Sequence, residues 1–202
     1  MENAFFYSKR HGASHPEART YFQFFLSHDR VYGNDMTHLR HVRNRDKEQI
    51  VELGKILFRE EDEIPLLQKA LIQYVPSLSY VAVDGNNIIG FTLVCTIPTN
   101  VYYHFMDRIP HGYELAFIGI SPQHQGRGLG KRLLKETLSA MYRTSPQFTC
   151  WLLVDIVNVS AIKLYQKWGF RRWKDTPPVG VAGWIMGLSH RRYVPPIIEP
   201  VS

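Results

Sequence analysis

Apolar residues along this chain recur at two spacings, and the spacing predicts the elements. After Asp46, the residues Ile50, Val51, Leu53, Ile56, Leu57 and Phe58 return at helical intervals. A second helix is predicted over 64–74 and closes before Pro76. Residues 37–42 alternate weakly, as a first strand would. Residues 79–83 and 88–96 read as two strands joined by Asp84-Gly85-Asn86-Asn87, a sequence suited to a tight hairpin. Residues 113–121 form the next strand. Leu129, Leu133, Leu134, Leu138, Met141 and Tyr142 then define one face of a long helix over 129–142. Residues 148–154 are almost continuously apolar, the pattern of a buried central strand. A helix over 158–168 ends at Gly169, and strands over 170–173 and 181–188 finish the pattern.

That order gives a mixed α/β fold of the α+β kind: a largely antiparallel sheet flanked by helices. It fills residues 36–192. Residues 1–35 read as an added arm, broken by Gly12, Ser14 and Pro16 and then carrying Tyr21, Phe22, Phe24, Phe25 and Leu26. Three roles are open to that arm: packing on the domain as a short helix, covering a cleft, or forming a homodimer contact. Residues 193–202 are a proline-containing tail.

Composition narrows the class without naming it. Of 202 residues, 45% are hydrophobic and 21% charged, ordinary values for a globular protein. No apolar run reaches the roughly 18 residues that span a bilayer, and the first six residues lack the basic and apolar blocks of a secretory signal. A cytoplasmic protein without a membrane partner is the expectation. Cys95 and Cys150 lie in apolar strands and read as buried free thiols. The nine histidines are scattered and form no metal-ligand spacing, so no metal is expected. The net charge of +6 is dispersed and brings no nucleic-acid motif.

The informative stretch is Ile118-Gly119-Ile120-Ser121-Pro122-Gln123-His124-Gln125-Gly126-Arg127-Gly128-Leu129-Gly130-Lys131. A strand ends, a glycine-rich loop follows, and an amphipathic helix starts inside it. Amide groups at that helix start have no intrahelical partner, and the helix dipole favours an anion there. Arg127 and Lys131 add positive charge. A nucleoside-triphosphate loop would need glycine at Gln125 and serine or threonine at Arg132. A dinucleotide fingerprint would need glycine or alanine at Lys131. Neither pattern fits.

The segment resembles the GNAT acetyltransferase family, whose loop reads Gln/Arg-x-x-Gly-x-Gly/Ala; here it is Gln125-Gly126-Arg127-Gly128-Leu129-Gly130 after Ile-Ser-Pro. A second family segment follows in order: Asn158-Val159-Ser160-Ala161-Ile162-Lys163-Leu164-Tyr165-Gln166-Lys167-Trp168-Gly169-Phe170. The resemblance spans about 37–190 and is specific over 113–170. It implies that the backbone from Gln125 to Lys131 cradles the pyrophosphate of acetyl-coenzyme A. It also implies that Ile118, Gly119 and Ile120 offer a strand edge to the pantetheine arm, splayed from strand 148–154. Asn158 would contact that arm, and Tyr165, two helical turns on, would protonate the departing thiolate.

The implied reaction moves an acetyl group to a primary amine, which arrives mostly as ammonium and must lose a proton before it attacks. Glu114, eleven residues before Gln125, resembles the catalytic glutamate of one branch of the family. Other branches carry a glutamate five residues before the asparagine, where this chain has Leu153. Asp155 is the second candidate base, acting directly or through water. Tyr113 is a candidate for the cleft wall. The acidic run Glu60-Glu61-Asp62-Glu63 reads first as a solvated turn and second as part of an acceptor pocket. Two other function classes stand beside the enzyme: a binding module that holds acyl-coenzyme A, or a protein partner through residues 1–35, without turnover, and nucleic-acid binding, which would need one continuous basic face.

Overall fold

The computed structural model describes residues 37–58, 62–99, 112–175 and 182–189. The proposed arm and tail lie outside those residues. Within them the chain runs β1 (His38–His41), α1 (Lys47–Leu57), α2 (Glu63–Gln73), β2 (Tyr80–Asp84), β3 (Asn87–Cys95), β4 (Tyr113–Ile120), α3 (Leu129–Thr144), β5 (Thr149–Asp155), α4 (Val159–Lys167), β6 (Arg171–Asp175) and β7 (Gly183–Ser189). This is the order that hydrophobic spacing predicts. The seven strands form one sheet in the order β1-β2-β3-β4-β5-β7-β6. All neighbours are antiparallel except β4 and β5, which are parallel.

The two faces of the sheet carry two cores. Ile50, Leu53 and Leu57 of α1 and Leu67, Ala70 and Leu71 of α2 pack with Val81, Phe91 and Leu93. Leu133, Leu134, Leu138 and Met141 of α3 and Ala161, Leu164 and Tyr165 of α4 share the other cluster with Ile118, Leu152 and Val154. Ile56, one of the apolar residues that mark α1 in the sequence, is 60% exposed. It follows Ile50 by six positions, which at 3.6 residues per turn carries it about 240° around the helix and off the buried face.

A bulge in β4 decides which side chains face which core. Leu93 pairs with Phe117 and Val94 with Leu115, so Ala116 is the extra residue. Alternation shifts by one there. Leu115, Ile118 and Ile120 join the α3/α4 cluster, whereas Ala116 and Phe117 join the α1/α2 cluster.

Edge strand β1 is tied to the start of α1 by charge. Both guanidinium nitrogens of Arg40 donate to the buried Asp46 carboxylate, at 2.6 and 2.9 Å, and the Arg43 backbone N–H donates at 2.7 Å. Burial alone would raise the Asp46 carboxyl. The Arg40 and Arg43 hydrogen bonds and the charges of Arg40 and Arg45 outweigh it and hold the group below the usual carboxylate range. A depressed carboxylate contributes stability above its unfolded pKa, near 4, and that stability is lost as pH falls through the folded value. Asp46→Ala is therefore expected to lower unfolding free energy at pH 7 by about 3 kcal/mol. In urea titrations, the gap between wild type and Asp46→Ala should shrink between about pH 4 and pH 2. An equal gap at both ends would show that the pair is not the source.

Candidate active site

β4 and β5 pair at Tyr113 with Cys150 and at Glu114 with Trp151, and nowhere beyond. Both run the same way, so they part toward their C-terminal ends and leave a fork with its vertex at those first residues. On its other edge β4 stays paired with β3 through Ile118, Gly119 and Ile120, opposite Thr92, Phe91 and Gly90. These three residues thus have a partner strand on one edge only, which leaves backbone groups on the fork side to pair with an extended ligand.

The open end of β4 leads into the glycine loop. The Gln125 side-chain amide donates to the Ile120 carbonyl at 3.0 Å and folds the loop back on the strand that it leaves. Gly126 and Gly128 have φ of 77° and 73°, values that favour glycine. At Gly128 an added Cβ would meet nothing within 4 Å, so the space above the loop is open. Gly128 is the N-cap of α3 and brings no side-chain acceptor to the helix's first turn. Leu129 and Gly130 are buried and anchor the turn, Arg127 is exposed and Lys131 half-buried. A phosphate-bearing ligand fits this arrangement: donors at a helix start, open space and nearby cations.

Among the described residues, three buried side-chain atoms at the end of β5 and along α4 have no hydrogen-bond partner. They are the Tyr165 hydroxyl, the Asn158 Nδ2 and the Asp155 Oδ2. Asn158 is the N-cap of α4, its Oδ1 accepting from Ala161 N–H at 3.1 Å. It is both a helix cap and a spare buried donor. Asp155 ends β5, and its Oδ1 accepts from the Val157 N–H at 2.9 Å. Tyr165 lies on the inner face of α4 with its ring against Phe170, centroids 5.6 Å apart. Its hydroxyl lies on the Cys150 side of β5, in the α3/α4 core. Burial, with the Cys150 thiol adding to it, raises the Tyr165 hydroxyl above tyrosine's usual range, so it holds its proton at neutral pH.

Glu114 is buried at the vertex, and its carboxylate accepts from the Thr99 N–H at 2.7 Å and the Thr99 hydroxyl at 2.9 Å. The structure therefore gives each Glu114 oxygen a donor. It ties Glu114 to the segment after β3, where Lys69 donates to the Thr99 carbonyl and Gln73 to the Ile97 carbonyl. Sequence gave no sign of Thr99, because a lone threonine after a strand has no pattern. Tyr113 begins β4 at the vertex, half-buried. Of the acidic run, Glu63 is buried in the first turn of α2 and Asp62 is exposed; Glu60 and Glu61 lie outside the described residues. Both cysteines are buried and free, and burial followed by the charge of Glu114 pushes the Cys95 thiol up to about 12. Neither is a nucleophile at neutral pH. No group of three or more metal-ligating side chains occurs among the described residues, and no helix there is long and apolar enough to cross a membrane.

The model of the Acetyltransferase (GNAT) family matches residues 43–170. The N-alpha-acetyltransferase RimI of Mycobacterium tuberculosis is 30% identical over 128 residues, 63% of this chain and 73% of that protein. N-alpha-acetyltransferase 30 of Xenopus laevis is 27% identical over 143 residues, 70% of this chain; the matched region is 49% of that relative, so the chain spans about half its length. Among solved structures, a chain of the NatC complex bound to Gag peptide and CoA superposes with a TM-score of 0.62 at 20% identity, covering 76% of this chain and 98% of that one.

A buried hydroxyl without a partner destabilises the empty fold. Tyr165→Phe should therefore raise unfolding free energy, without ligand, by about 1 kcal/mol. Urea unfolding of the two proteins tests this, and a less stable variant would mean that the hydroxyl is satisfied.

Proposed function

The chain belongs to the GNAT acetyltransferase family, and on that premise we propose that it transfers the acetyl group of acetyl-coenzyme A to the amino terminus of a peptide. The observation that carries this reading is the fork: a strand free on one edge, a glycine loop at a helix start, and buried orphan groups at Asn158 and Tyr165. An acyl-coenzyme A fits each of these parts. The loop from Gln125 to Lys131 takes the pyrophosphate, the Ile118-Gly119-Ile120 edge pairs with the pantetheine amides, and the Asn158 Nδ2 donates to the same arm. The acceptor assignment draws on the relatives, several of which are named N-alpha-acetyltransferases. Two free thiols fit a reducing compartment, and we place the reaction in the cytoplasm.

Chemistry follows from which face each group occupies. Along β5, Cys150, Leu152 and Val154 alternate with Trp151, Leu153 and Asp155, so the two sets lie on opposite faces. Tyr165 stands on the Cys150 side. Glu114, cross-strand from Trp151, and Asp155 stand on the other. The bound thioester supplies an electrophilic carbonyl in the gap; a C–N bond forms there as the C–S bond breaks. Tyr165 gives its proton to the departing sulfur. A carboxylate of the opposite face, Glu114 or Asp155, takes one proton from the ammonium before it attacks, and the second proton that the nitrogen sheds as the amide forms returns through solvent to the Tyr165 oxygen. Acid and base work from opposite sides and do not neutralise each other.

Purified protein is expected to release coenzyme A from acetyl-coenzyme A when given peptides with a free α-amine, and not when those peptides are N-acetylated. Tyr165→Phe should lower kcat by about 10²-fold or more while the Kd for acetyl-coenzyme A stays within about twofold. Cofactor binding without release by any amine would leave a binding module; absence of binding would overturn the cofactor assignment.

A further inference from the structure

Of the three buried orphan atoms, the Asp155 Oδ2 is the one that carries charge chemistry. Asp155 is 2% exposed, and among the described residues its side chain accepts one hydrogen bond, from the Val157 N–H to Oδ1. No ion pair involving Asp155 occurs among the described residues. A carboxylate in this state lacks what buried carboxylates have in nearly every fold, a cation or a full set of donors. Glu114 is in the opposite condition, with one donor on each oxygen. Of the two carboxylates on the acceptor face, one is committed to holding the chain and one has an open site.

The character of the missing partner follows from the charges of the two substrates. Acetyl-coenzyme A brings phosphates and neutral amides. The acceptor brings an ammonium group, whose hydrogen bond to a buried carboxylate is charge-assisted. Asp155 shares the Trp151–Leu153 face of β5, across the gap from Tyr165. An ammonium seated on Oδ2 therefore approaches the thioester from the side opposite the acid. We propose that Asp155, rather than Glu114, receives the acceptor's ammonium group and takes a proton from it before the C–N bond forms. This rests on the acetyl-transfer reading above. Glu114 is then a positioning residue, which clamps Thr99 and the segment held by Lys69 and Gln73.

The test is calorimetric titration of an unacetylated tripeptide amide, and of its N-acetylated twin, into protein saturated with coenzyme A. Wild type is compared with Asp155→Asn, which keeps an acceptor for Val157 and replaces Oδ2 with a donor. The free amine should bind Asp155→Asn about tenfold or more weakly, whereas the acetylated peptide binds both proteins alike. Coenzyme A affinity should stay within about twofold, and the urea midpoint near wild type shows that the variant is folded. Asp155→Ala gives a second variant with the same expected loss. Turnover adds a further readout: kcat/KM for the free-amine peptide should fall by about 10²-fold in Asp155→Asn and by less in Glu114→Gln. Equal amine affinity in wild type and Asp155→Asn overturns the proposal, as does absence of amine binding by wild type. Loss of coenzyme A affinity in Asp155→Asn also overturns it, because Oδ2 then reads the pantetheine arm. Failure of wild type to bind acetyl-coenzyme A at all is a different result, and it sinks the proposed function instead.

Discussion

The site depends on one strand that is held firmly on one edge and released on the other. β4 keeps its ladder with β3 along its length, while its pairing with β5 stops after two residues. Opening a sheet between two central strands forfeits ladder hydrogen bonds, so something else must fix β4. The packing against α1 does this. A Cβ on Gly119 would come within 2.7 Å of Leu57 and 3.0 Å of Phe91, so the missing side chain is what lets the helix seat on the strand. The bulge at Ala116 adds twist at the point where β4 leaves β5. Held this way, the strand presents a free edge without fraying.

The same logic explains why orphan polar atoms are tolerated beside a well-packed core. Tyr165 is fully buried among Ala161, Leu164 and Phe170. Asn158 and Asp155 each spend one atom on the local turn and keep the other. The turn hydrogen bonds fix both side chains in place without a ligand, so the spare atoms are oriented before anything binds. A site built this way gives up some stability in the empty state in exchange for preorganisation.

Much of this was legible in the sequence, for identifiable reasons. Strands and helices followed from period, because each element has one face on a core. The loop could be recognised because glycines at 126 and 128 occupy backbone angles that other residues avoid. Local patterns carry such requirements. The exposure of Ile56 was not legible, because an apolar residue near a helical stripe need not lie on it. The commitment of Glu114 to Thr99 was hidden for a different reason: it joins positions fifteen residues apart across a bulge. The state of a carboxylate, satisfied or open, is set by tertiary contacts that no spacing reveals.

That distinction bears on how a carboxylate is judged to be a base. Spacing from the glycine loop singles out Glu114, since position along one strand is what spacing can measure. Hydrogen-bond inventory singles out Asp155, since a base must have a lone pair free to take a proton. Glu114 has both oxygens engaged by Thr99, one by its N–H and one by its hydroxyl. Asp155 meets a single backbone donor, on the other oxygen. Its Oδ2 has no donor among the described residues, and under the proposed reaction it is the oxygen left to take the amine's proton.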